Sequence, residues 1–222
     1  MIRFSPREPV NSLTHVAGAI MAGVGLLVLL FIAAGNGSTR QLVAFSIFGG
    51  SLVATYCASA FYHTFGLTER RITQLRRIDQ MMIYILIAGT YTPICMILLR
   101  GGLGLGLLIA VWSIATLGVV LTIAWVQSPP WVSNTLYLGM GWIAVLVVRP
   151  LLAAAPAAFV LLLFIGGIIY TIGAVMLALE WPRVKAGSLP RLFGSHEIWH
   201  LCVIAGSCAH YWAILAYTSA VR

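Results

Sequence analysis

Residues 13–34 read LTHVAGAIMAGVGLLVLLFIAA and contain no Asp, Glu, Lys or Arg. A helix needs about 20 apolar residues to cross the hydrocarbon core of a bilayer, so this stretch predicts a transmembrane helix. Hydrophobic residues make up 61% of the 222 positions and charged residues only 8%, whereas about a quarter of the residues of a soluble domain are charged. We therefore expect one membrane domain over residues 1–222, with a first span too long for a cleaved signal peptide.

Six further stretches have the same apolar character, which predicts an all-α integral membrane protein built as a seven-helix bundle. The predicted spans are Leu13–Ala34, Gln41–Phe65, Met81–Leu99, Leu103–Val126, Val132–Val148, Ala157–Leu179 and Ile198–Val221. The fourth and fifth are divided at Gln127-Ser-Pro-Pro130, because consecutive prolines cannot continue a helix. Pro93 is expected to kink the third helix. Gly102 and Gly106, one turn apart in the fourth, are expected to permit close helix approach.

The basic residues predict the orientation of the bundle. With loops assigned alternately to the two sides, the amino-terminal side receives Arg3, Arg7, Arg70, Arg71, Arg76, Arg77, Arg183, Lys185 and Arg191, and the other side Arg40, Arg100, Arg149 and Arg222. Short cytoplasmic loops carry an excess of Lys and Arg, so the amino terminus is predicted to be cytoplasmic and the carboxyl terminus to be outside, in the plasma (inner) membrane. The basic clusters would attract anionic lipid headgroups, and nucleic acid is not an expected partner.

The ionisable side chains in or beside the spans are candidates for function, because such groups are costly in hydrocarbon. This topology brings nearly all of them to one depth, at the cytoplasmic ends of the helices. They are Glu8, Asn11 and His15 at the entrance of the first span, His63 near the end of the second, Asp79 at the start of the third, and His196 and His200 in the first two turns of the seventh.

Two histidines of the seventh span predict a metal site. His196 and His200 are four residues apart, so they project from one face of a helix. A third ligand from another helix would complete the protein's share of a tetrahedral zinc site, and His63 lies at the right depth to be that ligand. A lone histidine in a membrane helix is more often a hydrogen-bond partner between helices, which is the alternative for each histidine taken singly.

Ser59 and Asp79 are the candidate catalytic residues. Ser59 lies one turn before His63 and is suited to a hydrogen bond that supports the site, although serine also lets membrane helices approach closely. Asp79 could accept a hydrogen bond from a metal-bound water or a ligating imidazole. It could instead pair with Arg76 or Arg77 at the interface.

The remaining polar positions are expected to have supporting roles. Glu8 and Asn11 are expected to cap and dock the entrance of the first helix, and His15 is a remote candidate for metal contact. His210 lies too deep to share the site and is interpreted as a packing or substrate-pocket residue. The segment His196-Glu-Ile-Trp-His200 fits the H-E-x-x-H pattern of zinc proteases, but its elongated form fails downstream.

Taken together, three motifs resemble the signatures of the haemolysin III branch of the progestin and adipoQ receptor family. They are Glu8-Pro-Val-Asn11, Ser59-x-x-x-His63 followed by Asp79, and His196-x-x-x-His200. The resemblance implies a seven-helix bundle with zinc held by the three histidines, Asp79 on the zinc-bound water and Ser59 supporting the site. The wider superfamily includes alkaline ceramidases, and members are linked to lipid amide hydrolysis and membrane homeostasis.

Three functions follow as hypotheses. The first is a zinc-dependent hydrolase of lipid amides or esters, whose partner is a membrane lipid or fatty acyl substrate. The second is a non-enzymatic sensor of lipid or membrane state, in which zinc only joins helices. The third is a haemolysin-like or channel-like protein, which is disfavoured because no span carries a charged stripe. The sequence leaves the first two open.

Overall fold

The computed structural model describes residues 7–125, 129–182 and 194–219, and helices dominate these ranges. The α-helices are α1 (Pro9–Gly35), α2 (Thr39–Thr64), α3 (Glu69–Pro93), α4 (Gly102–Ala124), α5 (Pro130–Trp142), α6 (Val148–Ala154), α7 (Ala157–Ala178) and α8 (Ser195–Thr218). A π-helical segment, Ile94–Leu98, prolongs α3, and a 3-10 segment, Ile143–Val147, joins α5 to α6.

The predicted seven-span architecture is confirmed. Within the described ranges, seven helices are long and apolar enough to cross a membrane, and α5, the 3-10 segment and α6 together form one of them. Large apolar side chains face outward, as Phe31 and Leu146 illustrate with 82% exposure each. Such surfaces suit a protein surrounded by lipid.

The sidedness of the bundle stays a prediction. Five of the basic residues on which it rests lie outside the described residues, namely Arg3, Arg183, Lys185, Arg191 and Arg222. Residues Gln127 and Ser128 of the predicted break also lie outside them. The break itself is confirmed on either side, because α4 ends at Ala124 and α5 begins at Pro130. Proline suits the first position of a helix, where its missing N–H has no partner to lose.

The third helix begins earlier than predicted, at Glu69 instead of Met81. Hydropathy detects only the apolar part of a helix, and the first turns of α3 are rich in arginine, with Arg70 and Arg71 exposed. The prediction that Asp79 lies at the start of this helix is therefore wrong. Asp79 lies about three turns inside α3.

The close approach predicted at Gly102 and Gly106 is also wrong. A Cβ atom at either position would meet no atom within 4 Å. The glycines of α4 that need to be small are Gly104, where a Cβ would overlap carbonyl oxygens of the preceding segment, and Gly118, where it would lie 2.4 Å from the Tyr84 ring. Spacing alone cannot tell which stripe of a uniformly apolar helix faces its neighbour.

Two packed cores divide the described bundle. One is formed mainly by α1, α2 and α8 and contains Leu29, Phe45 and Phe48. The other is formed mainly by α3 to α7 and contains Tyr84 and Phe159. Both α3 and α8 contribute residues to each core. The change from α- to π-helix follows Pro93, the residue expected to distort this helix. A cavity lies where α3, α5, α7 and α8 face one another.

Candidate metal centre

Three histidines meet at one end of the bundle. His63 comes from the last turn of α2, and His196 and His200 come from the first two turns of α8. One ring nitrogen of each lies within 4.8 Å of the other two, and Nε2 of His63 is 3.4 Å from Nε2 of His196. Nitrogens bound at about 2.0–2.1 Å to a tetrahedral zinc lie about 3.4 Å apart. The group is therefore close enough to bind a metal ion, and the separation of His63 from His196 equals that of two ligands of a tetrahedral zinc.

Glu8 orients the first of these histidines. Nδ1 of His63 donates a hydrogen bond to Oε2 of Glu8 over 2.7 Å. An ionised carboxylate only accepts, so Nδ1 carries a proton, and in the neutral ring Nε2 has the free lone pair that binds a metal. This hydrogen bond holds the pKa of the Glu8 carboxyl at about 2, so the group is ionised at neutral pH. The Glu8 backbone N–H donates to the His63 carbonyl over 3.1 Å.

Asn11 links the entrance of α1 to the start of α8. Its Nδ2 donates to Oε2 of Glu8 and to Oε1 of Glu197, over 3.0 Å each. Oε2 of Glu197 accepts from the Gly194 backbone N–H over 2.8 Å, which caps α8. Each oxygen of Glu197 thus accepts one hydrogen bond, from Asn11 and from Gly194. These contacts give Glu197 a role in joining α1 to α8 that the H-E-x-x-H pattern of zinc proteases does not require.

His15 packs against the ring of His200. The two rings stack with centroids 3.6 Å apart and planes at 17°, and the edge of Tyr56 meets His15 at 5.2 Å. Both ring nitrogens of His15 are buried without a hydrogen-bond partner among the described residues. His15 is not part of the three-histidine group. The sequence predicted that His15 lies near the site, on the same stripe of α1 as Asn11. Its stacking on His200 is seen only in the tertiary structure.

Asp79 and Ser59 lie together beside the histidines. The Ser59 hydroxyl is buried next to the Asp79 carboxyl. The two groups do not meet the geometric criteria for a hydrogen bond, and the hydroxyl has no other hydrogen-bond partner in the described parts of the chain. Asp79 and His196 both line the cavity. Within the described ranges Asp79 forms no ion pair with Arg76 or Arg77, so the interfacial pairing considered from the sequence is not seen.

The cavity extends from this centre into the bundle. Its volume is about 480 Å³, within the range of small-molecule sites. Polar side chains line it near Asp79 and His196, and apolar ones line it further in, among them Ile83, Leu86, Ile87, Leu138 and Leu163. His210 also lines it, in line with the substrate-pocket interpretation of that residue.

The sequence matches the family described as Haemolysin-III related over residues 5–211, which include all three motifs. This chain belongs to the haemolysin III family. Among haemolysin III relatives, the hemolysin-3 homolog of Bacillus subtilis (strain 168) is 37% identical over 95% of this chain and 93% of its own length. Hemolysin-3 of Bacillus cereus is 34% identical over 98% and 94% of the two chains. The human monocyte to macrophage differentiation factor is 27% identical over 77% of this chain and 68% of its own length.

The family resemblance inferred from the motifs is therefore confirmed. Seven apolar helices and bacterial haemolysin III relatives together indicate an integral membrane protein. The haemolysin III match covers the entrance of α1, the end of α2 and the first turns of α8, the elements that bring Glu8, His63, His196 and His200 together.

Proposed function

We propose that this haemolysin III protein is a zinc-dependent hydrolase of lipid amides or esters that acts in membrane lipid homeostasis. One observation carries the proposal: Asp79 and His196, a member of the three-histidine group, line an apolar-walled cavity of about 480 Å³. A zinc that only joins helices needs no such space, whereas a catalytic zinc has three protein ligands and an open fourth position. The excess of basic residues on the amino-terminal side supports a site near the cytoplasmic face of the inner membrane.

The donor set suits zinc. His63, His196 and His200 each offer one imidazole nitrogen as a ligand, and the contact of Glu8 with Nδ1 leaves Nε2 of His63 to bind the metal. Zinc bound there would supply a Lewis acid for the scissile carbonyl and lower the pKa of a water to about 7. Asp79 would then transfer the protons of the reaction, and Ser59 would orient Asp79.

Asp79 is the proposed general base and acid. Its carboxylate takes a proton from the attacking water as the new carbon–oxygen bond forms, and returns it to the leaving amine or alcohol as the old bond breaks. The Ser59 hydroxyl, which has no regular partner in the described residues, orients this carboxylate. Water and the polar head of the substrate occupy the Asp79 end, and the acyl chain lies along the apolar walls.

Turnover by the purified protein tests the proposal. Released fatty acid is measured by mass spectrometry after incubation with a panel of ceramides, N-acylethanolamines and monoacylglycerols. We expect release by the zinc-loaded wild type, loss with a chelator and recovery with zinc. Asp79→Asn should lower release by at least about 100-fold with zinc retained. Glu69→Gln, which changes an exposed carboxylate of the same helix, is the matched control.

Folded, zinc-loaded protein that releases no fatty acid from any of these lipids contradicts the hydrolase. The second candidate, a sensor with structural zinc, draws support from the way Asn11 ties the entrance of α1 to Glu8 and Glu197. It predicts that chelation lowers the melting temperature and that Asp79→Asn leaves the cellular function intact. A pore, which only the names of the relatives suggest, predicts ion flux in reconstituted vesicles.

A further inference from the structure

His210 places a polar ring deep in the cavity. It lies ten residues after His200 on α8, which corresponds to about 15 Å along the helix. Its ring is seated against α7 at Gly166, where a Cβ atom would lie 2.4 Å from Cδ2 of His210. The Tyr170 ring lies 5.5 Å away, centroid to centroid. The imidazole is therefore held in one position at the cavity wall.

A backbone carbonyl determines the tautomer of this ring. Nε2 of His210 lies 3.0 Å from the carbonyl oxygen of Leu163. A carbonyl only accepts, so Nε2 carries the hydrogen, and Nδ1 of a neutral ring is left as an acceptor. Nδ1 has no hydrogen-bond partner among the described residues, and protein atoms do not fully enclose it. The cavity wall thus offers a lone pair at this depth.

Four other polar side chains that line the cavity direct their hydrogens into the protein. Thr90 donates to the Leu86 carbonyl over 2.8 Å, and Tyr91 donates to the Met140 carbonyl over 3.0 Å. Thr171 donates to the Gly167 carbonyl, and Trp142 donates to the Thr171 hydroxyl. The Tyr170 hydroxyl is hydrogen-bonded to that of Ser207, with either as the donor. Thr90, Tyr91, Thr171 and Trp142 therefore have no hydrogen left to donate to a ligand in the cavity.

We propose that this end of the cavity is a subsite for a hydroxyl group in the middle of an acyl chain, with Nδ1 of His210 as the acceptor. The proposal rests on the proposed function, in which the cavity holds the acyl chain. A hydroxyl donates to Nδ1, whereas a bare methylene excludes water from this lone pair and leaves it unsatisfied. A ketone has only acceptor lone pairs, so it cannot donate to Nδ1. The substrates that this subsite favours are lipid amides or esters of hydroxylated fatty acids.

Binding of three matched fatty acids tests the subsite independently of turnover. Stearic acid, a mid-chain hydroxystearic acid and the corresponding ketostearic acid compete with a fluorescent fatty acid for zinc-loaded protein in detergent. We expect the hydroxy acid to bind about fivefold more tightly than stearic acid, the effect of one net hydrogen bond, and the keto acid to bind no more tightly. His210→Phe should remove the preference. His210→Gln, which keeps a donor and an acceptor, should retain part of it.

The outcomes separate this inference from the hydrolase. Equal binding of hydroxystearic and stearic acids overturns the subsite and leaves the hydrolase standing. Displacement by none of the three acids overturns acyl occupancy of the cavity, and the subsite with it. A hydroxyl preference that survives in His210→Phe overturns the assignment to His210. If His210→Phe does not fold, the wild-type comparison and His210→Gln decide the question.

Discussion

The Glu8 carboxylate lies 2.7 Å from Nδ1 of His63, and this contact turns the other nitrogen of the ring toward the histidines of α8. Glu8 precedes the first span, and His63 lies in the last turn of the second. The pair therefore joins the start of the first span to the candidate metal centre. A carboxylate behind a ligating histidine sets its tautomer and raises its basicity.

The three histidines are expected to hold one zinc per chain. His63→Ala and His200→Ala should each abolish zinc in the purified protein, because two remaining nitrogens bind the ion weakly. Elemental analysis of chelator-free preparations measures this. His210→Gln, also on α8 but far from the group, should keep its zinc, and loss of metal from that control would point to misfolding instead. A folded wild type without metal would contradict the site.

Glu8→Ala is expected to lower zinc affinity by about 10- to 100-fold, since the orienting partner of His63 is lost. Competition with a chromophoric chelator gives the dissociation constant, Kd. Glu8→Gln should have a smaller effect, because its amide oxygen can still accept from Nδ1. Glu69→Ala, an exposed carboxylate of α3, serves as the control. Unchanged affinity in Glu8→Ala would show that His63 is held without Glu8.

Asn11→Ala is expected to destabilise the bundle by about 1–3 kcal/mol, because it leaves the Glu8 and Glu197 carboxylates without their shared donor. Thermal unfolding in detergent measures the effect, and Gln74→Ala on the exposed face of α3 should be near neutral. Combining Asn11→Ala with Glu197→Ala should cost less than the sum of the two changes. Strict additivity would mean that the bridge contributes nothing.

Ser59→Ala is expected to lower turnover about tenfold while zinc content stays unchanged, since its hydroxyl positions Asp79 without touching the metal. Rates on the best lipid of the panel are compared with those of Ser51→Ala. Ser51 lies about two turns earlier on α2 and donates to the Phe48 carbonyl over 2.7 Å, so its loss should spare the rate. Equal rates for Ser59→Ala and wild type would remove Ser59 from the site.

Gly118→Ala is expected to destabilise the protein by about 1–3 kcal/mol, because the added methyl would lie 2.4 Å from the Tyr84 ring in a packed core. Gly106→Ala is the matched control on the same helix, where the methyl meets no atom within 4 Å and alanine favours the helix. The melting temperature of Gly118→Ala should be lower than that of the wild type, and that of Gly106→Ala should be higher. A Gly118→Ala variant as stable as the wild type would contradict this packing.

The seven spans could be predicted from the sequence because the hydrocarbon core requires long uncharged helices whatever their partners. The histidines of α2 and α8 could be predicted as well, since ionisable side chains in hydrocarbon are few and helical spacing assigns their face. The start of α3 could not be predicted this way, because its first turns, around Arg70 and Arg71, lie beyond the apolar window.

Only the tertiary structure decided which atoms meet. The contact of Glu8 with His63, the stack of His15 on His200 and the choice of Gly118 over Gly106 all join residues distant in sequence. Hydropathy makes every face of such helices look alike, since lipid and protein interior are both apolar. Rotation and depth of each helix are determined by close packing against its neighbours, which no local pattern contains.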